Sequence, residues 1–175
     1  MKKFFIILSS LLLSASLFAQ TWTLPAVREI ATIEKQDGSL YHLVNIPSGD
    51  ENRYYVDFGK MSMGDNIFSI TVNPVENLYI FLGNNLTDAI AKLQEIKDLC
   101  SMEKGESTEI LGSYSLLPSE DLEEITVTRY QYSLGKKLQF SIQKDDYMVV
   151  TYVSRGDISS LLSQLKFHKK LHPKE

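Results

Sequence analysis

The sequence predicts an α+β fold in which two tandem ββββα-type halves form one curved antiparallel sheet, with two amphipathic helices packed on one face. Three observations support this class. Short stretches of alternating apolar and polar residues recur between turn residues, as in half-buried strands. Two segments, each following such stretches, have apolar residues at a period of 3.6. The same order of turns, strands and helix returns 72 positions later along the chain.

Residues 1–19 have the composition of a secretory signal peptide. Lys2 and Lys3 form a charged start, an apolar stretch follows, and the small residue Ala19 precedes Gln20 at the expected cleavage point. The apolar part is shorter than the ~20 residues that a membrane-spanning helix needs. We therefore expect export to the periplasm or the extracellular space, with no transmembrane span in the mature chain.

The mature chain is expected to be one compact domain. Removal of 19 of the 175 residues leaves 156, enough to bury about 68–70% of the unfolded surface. We divide it into a lead-in with a first strand at 20–39, a first ββββα-type half at 40–104 and a second at 105–175. The predicted strands are 27–34, 40–46, 54–58, 67–72, 78–82, 109–117, 125–134, 138–142 and 148–153.

Two helices are predicted from their apolar stripes. The first runs from Asn85, its expected N-cap, to Leu99, and the second has Asp157 as its expected N-cap and stops at Pro173. The stripe of the first helix comprises Leu86, Ala89, Ile90, Leu93, Ile96 and Cys100. The stripe of the second comprises Ile158, Leu161, Leu162, Leu165, His168 and Leu171.

The evidence for a duplication lies in the spacing of elements more than in residue identity. Residues 68–70 and 140–142 both read Phe-Ser-Ile, but identities across the whole alignment are only about twice those expected from average composition. Agreement of turns, strand phase and helix starts at one constant shift favours a true repeat. The alternative is convergence, because any two strand meanders that end in a helix have similar spacings.

Charge and cysteine content make several function classes unfavourable. The net charge of −4 becomes −6 once Lys2 and Lys3 leave with the signal peptide, and an acidic chain has no general attraction to nucleic acid or anionic membranes. Cys100 is the single cysteine, so no intrachain disulfide can form. We expect Cys100 to be a small apolar residue on a helix face rather than a nucleophile.

The sequence lacks the usual motifs of hydrolases, phosphate-binding loops and zinc sites. His168 and His172 have the spacing of a two-histidine metal site, but cations at a helix C-terminus explain them better. Asp145-Asp146 and the acidic stretch 120–124 could supply acid–base pairs or bind a hard cation, yet both lie in predicted turns, where acidic residues are common. We predict no catalytic, metal-binding or cofactor-binding residue, and no cofactor.

One candidate interaction surface follows from the strand pattern. We expect the partner surface to comprise Tyr79, Phe81, Val149, Thr151 and Val153, together on the sheet face opposite the helices. An exposed aromatic and apolar patch on a sheet is typical of a partner or ligand surface. The alternative is that the N-terminal segment or the other half covers this face.

The preferred functional interpretation is an exported, non-enzymatic module that binds a protein or an apolar ligand through its sheet face or concave edge. Nucleic acid is not an expected partner. Two alternatives stay open: a small cell-envelope hydrolase that uses scattered carboxylates, and a structural subunit that forms a homodimer through its sheet face.

Overall fold

The computed structural model describes residues 27–34, 40–48, 51–58, 76–132, 135–145 and 147–173. The predicted signal peptide, most of the lead-in segment and the predicted strand at 67–72 lie outside the described residues. Of the two matching segments predicted at 68–70 and 140–142, only the second therefore lies within the described residues.

Within the described ranges, eight strands form one antiparallel sheet whose order is the chain order. They are β1 (Arg28–Glu34), β2 (Leu40–Ser48), β3 (Glu51–Asp57), β4 (Asn77–Gly83), β5 (Ser107–Ser115), β6 (Glu123–Tyr132), β7 (Gly135–Lys144) and β8 (Tyr147–Ser154). Helix α1 (Leu86–Asp98) follows β4 and continues into a 3-10 turn, Leu99–Ser101, and α2 (Arg155–Leu171) follows β8. The predicted α+β class and the antiparallel sheet are confirmed.

The sheet curls into a half-barrel, and contacts across its open side show how far it bends. The Tyr41 hydroxyl on β2 donates to the Tyr152 carbonyl oxygen on β8 at 3.4 Å, although five strands lie between β2 and β8 in the sheet. Helix α2, which follows β8, also contacts β1. Both helices pack on the inner face and touch each other.

The main core lies between the inner face of the sheet and the two helices. Its strand residues include Leu43, Val56, Ile80, Ile125 and Phe140, which alternate with outward-facing residues along their strands. From α1 it takes Leu86, Ala89, Leu93 and Ile96, and from α2 it takes Ile158, Leu161, Leu162 and Leu165. Cys100, the single cysteine of the chain, is buried in the same core.

The helix ends correct two predictions. The N-cap of α2 is Ser154, not Asp157: the Ser154 hydroxyl accepts the Asp157 backbone N–H, and the Asp157 carboxylate accepts the Ser154 backbone N–H. This capping box explains why the aspartate suggested a cap, since it lies three residues inside the helix. The predicted stripe is wrong at its end, because His168 is only partly buried and Leu171 is 60% exposed.

The cap of α1 is as predicted. The Asn85 side chain accepts the Asp88 backbone N–H at 2.9 Å. Neither helix combines the length and apolar character required to cross a bilayer, within the part of the chain that the structure describes.

Candidate functional site

The five residues of the predicted partner surface do not share a face. Tyr79 and Phe81 lie on the outer face of β4, whereas Val149 and Val153 are fully buried in the inner core. Thr151 is opposite Phe140, another inner-core residue. The expectation of one common face is wrong because residues 148–153 are apolar at both alternating positions, and a phase error of one residue exchanges the faces of a strand.

The outward-facing residues of β8 are Met148, Val150 and Tyr152 instead. The ring of Tyr152 packs against that of Tyr130 on β6, with centroids 5.8 Å apart. Met148 is 46% exposed and Tyr130 is 43% exposed. The outer face of the second half therefore presents aromatic and apolar side chains to solvent.

In the first half, a segment of the chain itself covers the outer face. Val44, Ile46, Tyr55 and Tyr79 form a second buried cluster, against which Phe81 and Leu122 pack. The connection between β5 and β6, residues 116–122, runs across this cluster. The alternative of internal coverage thus holds for Tyr79.

Hydrogen bonds hold this connection in place. The Tyr55 hydroxyl donates to the Ser119 carbonyl oxygen at 3.0 Å, and the Tyr79 hydroxyl donates to that of Leu116 at 3.5 Å. Arg53 on β3 approaches Glu120 at 3.6 Å. Burial raises the pKa of both tyrosines above its ordinary value, because the charged phenolate is poorly solvated there.

A row of polar side chains crosses the outer face, and no local pattern in the sequence predicts it. Thr32, His42, Asp57, Tyr79 and Ser113 are successive cross-strand partners from β1 to β5. Only the strand register brings them together, because they are spread over 82 positions of the chain. The alternation of each strand indicates which of its residues face outward. That information locates the row only when the pairing of the strands is also known.

The ionisable end of this row does not have the geometry of a proton relay. Thr32 Oγ1 and Glu29 Oε2 lie 3.1 and 3.2 Å from the same ring nitrogen, Nδ1 of His42, and Thr32 donates to Glu29 Oε1 at 2.5 Å. A nucleophile and an orienting carboxylate contact different ring nitrogens in a catalytic triad. The hydrogen bond from Thr32, with smaller effects of His42, lowers the pKa of Glu29.

The other candidate ionisable groups are dispersed. In the acidic stretch, Glu120 approaches Arg53 and Glu123 accepts two hydrogen bonds from Lys144. His168 and His172 stack with their ring centroids 4.4 Å apart. Across the described ranges, no group of three or more His, Cys, Asp or Glu side chains is arranged to hold a metal ion.

The clearest candidate site is an opening between β4 and β5, which the sequence did not predict. These strands pair at four positions, from Asn77↔Ser115 to Ile80↔Gly112. Beyond that point β4 still pairs with β3 as far as Gly83, and β5 still pairs with β6 as far as Ser107. The two strands therefore separate from each other while each remains held by its other neighbour.

Two local features produce the separation. The register between β3 and β4 shifts so that Leu82 is an extra residue on β4, a bulge that bends and twists the strand that carries it. Gly112 is in the last β4–β5 pair, and a side chain there would collide with the Tyr79 carbonyl oxygen and with Ile125. Close contact at Gly112 and a bend at Leu82 give the opening a wedge shape.

The wedge contains a pocket of about 280 Å³. It is lined by Phe81, Leu82, Lys92, Glu109, Ile110 and Leu111. Leu111 is 46% exposed, whereas Leu82 and Ile110 belong to the buried core. The pocket thus reaches from the outer surface toward the core between two unpaired strand edges.

Comparison of this chain with protein-family models, curated proteins and solved structures found no match.

Proposed function

We propose that this chain is an exported, non-enzymatic binding protein that takes a short extended segment of a partner protein into the β4–β5 opening. One observation carries the proposal: two strands that pair at Ile80↔Gly112 diverge beyond it and leave facing backbone edges around a pocket. Main-chain hydrogen bonds to an added strand supply affinity in this mode of recognition, and pockets for alternate side chains supply specificity.

The backbone of the opening favours a polypeptide over a purely apolar ligand. Strand residues carry one N–H and one C=O each, and these groups are costly to leave without a partner when they are buried. At the opening, residues 81–83 of β4 and 107–111 of β5 have strand neighbours on one side only. An extended peptide offers the same groups at the matching spacing.

The side chains of the opening fit a short segment with alternating apolar residues. Phe81 and Leu111 are on the outer side and Leu82 and Ile110 on the inner side, so apolar surface is available on both sides of an inserted strand. The pocket is slightly smaller than the roughly 300–1,000 Å³ typical of small-molecule sites. This volume suits two or three side chains rather than a long peptide.

The test is selection of peptides from a displayed decapeptide library on the folded protein, followed by affinity measurement with two matched variants. Leu111→Lys places a charge at the opening, opposite Glu124, which compensates it. Met148→Lys is the control, because Met148 has the same exposure as Leu111 but lies on β8.

We expect selected peptides to carry apolar residues at alternate positions and to bind Leu111→Lys about tenfold or more weakly, since a lost apolar contact is worth about 1.5–3 kcal/mol. Met148→Lys should bind them with unchanged affinity. Absence of any enriched peptide, or equal losses in both variants, would contradict the proposal.

Binding is preferred to the alternative of an envelope hydrolase on geometric grounds. Thr32 and Glu29 share a single nitrogen of His42, and the acidic residues 120 and 123 are engaged in ion pairs with Arg53 and Lys144. These contacts suit surface stabilisation. Hydrolysis of a panel of ester, glycoside and peptide reporters that is lost in His42→Gln would favour the enzyme instead.

The structural-subunit alternative rests on the outer face of the second half. Met148 and Tyr152 lie on β8, the last strand of the described sheet, and Tyr130 on β6 packs against Tyr152. Light scattering distinguishes this alternative: a dimeric mass that becomes monomeric in Met148→Lys would favour self-association through this face.

Export is part of the proposal and has its own test. We propose that residues 1–19 are a cleaved signal peptide and that the mature protein is periplasmic or extracellular. N-terminal sequencing of the protein recovered from cells should give Gln20 as the first residue. An intact Met1 terminus on cytosolic protein would contradict export.

We also propose that the run from β1 to α1 and the run from β5 to α2 descend from one duplicated ββββα unit. The shift between them is smaller than the 72 positions that the strand pattern predicted. The helix caps Asn85 and Ser154 are 69 positions apart, and each is followed at the third helical position by an aspartate. At that shift, Ala89, Leu93 and Ile96 correspond to Ile158, Leu162 and Leu165, and all six are buried. Superposition of the two runs in an experimental structure, with these caps coincident, is the test.

A further inference from the structure

Arg129 is a cation inside the protein that no carboxylate of the described residues neutralises. It is only 5% exposed, and it lies opposite Leu138, a fully buried residue of the inner core. Its Nε atom is buried without a hydrogen-bond partner. Among the described residues, no ion pair includes this guanidinium.

Two acidic residues that are candidates to pair with Arg129 are engaged elsewhere or face away. The backbone carbonyl of Glu106 accepts the Arg129 backbone N–H. The side-chain carboxylate of Glu106 accepts the Glu103 backbone N–H at 2.8 Å. Asp57, the buried carboxylate of the described ranges, is a cross-strand partner of His42 and Tyr79 on the outer face. The sheet therefore separates Asp57 from Arg129.

An uncompensated buried charge is unfavourable, so its presence needs a cause. Removing an ion from water costs several kcal/mol even after relaxation of the protein, and buried arginines are normally paired. A hydrophobic residue of similar volume would serve the core better at this position. The planar guanidinium of arginine binds a carboxylate or a phosphate group by two parallel N–H···O bonds.

We infer that Arg129 is the binding residue for an oxyanion, a carboxylate or phosphate group of a small ligand, at the inner face of β6. The backbone around it is fixed, since the Gly105 N–H donates to the Arg129 carbonyl oxygen and the Arg129 N–H donates to that of Glu106, each at 2.9 Å. The guanidinium is thus held on a rigid strand in an apolar setting, where a charge-assisted pair gains more than it does in water. This site is independent of the β4–β5 opening.

The inference predicts an unusual combination of stability and binding. In Arg129→Met an apolar side chain replaces the unpaired charge, so the variant should melt at a higher temperature than the parent without anions. The parent, but not this variant, should gain melting temperature saturably with sodium phosphate or sodium acetate, measured against sodium chloride at equal ionic strength. The phosphate and acetate arms also distinguish the two sources of the oxyanion.

The protein is expressed from the full-length sequence, and Arg28→Met is the matched control because Arg28 is an exposed residue of β1. It should keep the anion response of the parent. If Arg129→Met does not fold, Arg129→Lys retains the charge without the planar fork, and its apparent anion affinity should fall at least tenfold. A parent that responds to neither anion beyond sodium chloride, or an undiminished response in Arg129→Met or Arg129→Lys, overturns the inference.

Discussion

Substitution of Gly112 by alanine tests whether close contact of β4 and β5 at one point organises the candidate site. A Cβ atom at Gly112 would meet the Tyr79 carbonyl oxygen and Ile125 Cδ1 well inside van der Waals distance, whereas ordinary contact begins at 3.4 Å. The carbonyl is part of the backbone of a paired strand and cannot rotate away. Strand β4 must therefore move by roughly 1 Å to restore contact distance.

The cost follows from what this movement breaks. The β4–β5 ladder has only four residue pairs, and a displacement of roughly 1 Å lengthens a backbone hydrogen bond beyond its normal range. Loss of two such bonds costs about 1–3 kcal/mol, and overpacking of Ile125 in the core adds about 1–3 kcal/mol. We expect Gly112→Ala to lower the free energy of unfolding by about 2–6 kcal/mol.

Urea unfolding followed by circular dichroism measures this loss, and Gly156→Ala is the control. A Cβ atom at Gly156 would meet only the Ser154 hydroxyl oxygen at 3.6 Å, and alanine is preferred to glycine in a helix by up to about 1 kcal/mol. Gly156→Ala should therefore be neutral or stabilising. A loss below about 1 kcal/mol in Gly112→Ala, with an unchanged denaturant slope, would refute the account of the strand contact.

Three further substitutions test the contacts of the outer face and the core. Tyr55→Phe removes the hydrogen bond to the Ser119 carbonyl oxygen, so it should lower the free energy of unfolding by about 1 kcal/mol and speed amide hydrogen exchange in residues 116–122. Unchanged exchange would contradict the conclusion that the Tyr55 hydroxyl holds this connection in place. Burial raises the pKa of Tyr114 from 10.0 to about 12, so the stability that this group contributes is complete below pH 10 and lost as the pH rises through about 12. In thermal melts, Tyr114→Phe should therefore lose less stability at alkaline pH than the parent. An identical alkaline decline in both proteins would contradict this prediction. The pKa of Glu29 is lowered from 4.5, so the stability that this carboxylate contributes is present above pH 4.5 and lost as the pH falls through the lower folded-state pKa. The melting temperature of Glu29→Gln should therefore depend less on pH below pH 4.5 than that of the parent. The same pH dependence in both proteins would argue against the Thr32 and His42 contacts.

The main elements could be predicted from the sequence where one face is clearly apolar. Helix α1 has a clear apolar stripe, and its predicted members Leu86, Ala89, Leu93 and Ile96 are buried in the core. The pattern fails where both faces are apolar, as in β8, because alternation then contains no information about which residues face the helices. Val149 and Val153 were assigned to the wrong side for this reason.

The candidate site could not be predicted, since it arises from relations between strands rather than within them. The opening depends on a register shift at Leu82 and on the absence of a side chain at Gly112, and a single glycine in a strand has several explanations. The inward orientation of Arg129 could not be predicted either, because a charged residue in a strand is normally assigned to the solvent side. Its opposite partner Leu138 reveals its true orientation only when the register is known.

The two strand-to-helix junctions differ in how the chain passes from the strand into the helix. At the second junction, Ser154 ends β8 and caps α2 at once, and β8 stays paired with β7 through Ser154. At the first, Gly83 adopts a φ of 137°, and its missing side chain would lie 2.7 Å from Asp88 Cβ, so the chain turns sharply into α1. That turn follows directly on the Leu82 bulge, which draws the end of β4 away from β5. Strand β4 keeps its pairing with β3 through Gly83, as β8 keeps its pairing with β7, so the pairing that ends early is the one between β4 and β5, where the opening lies.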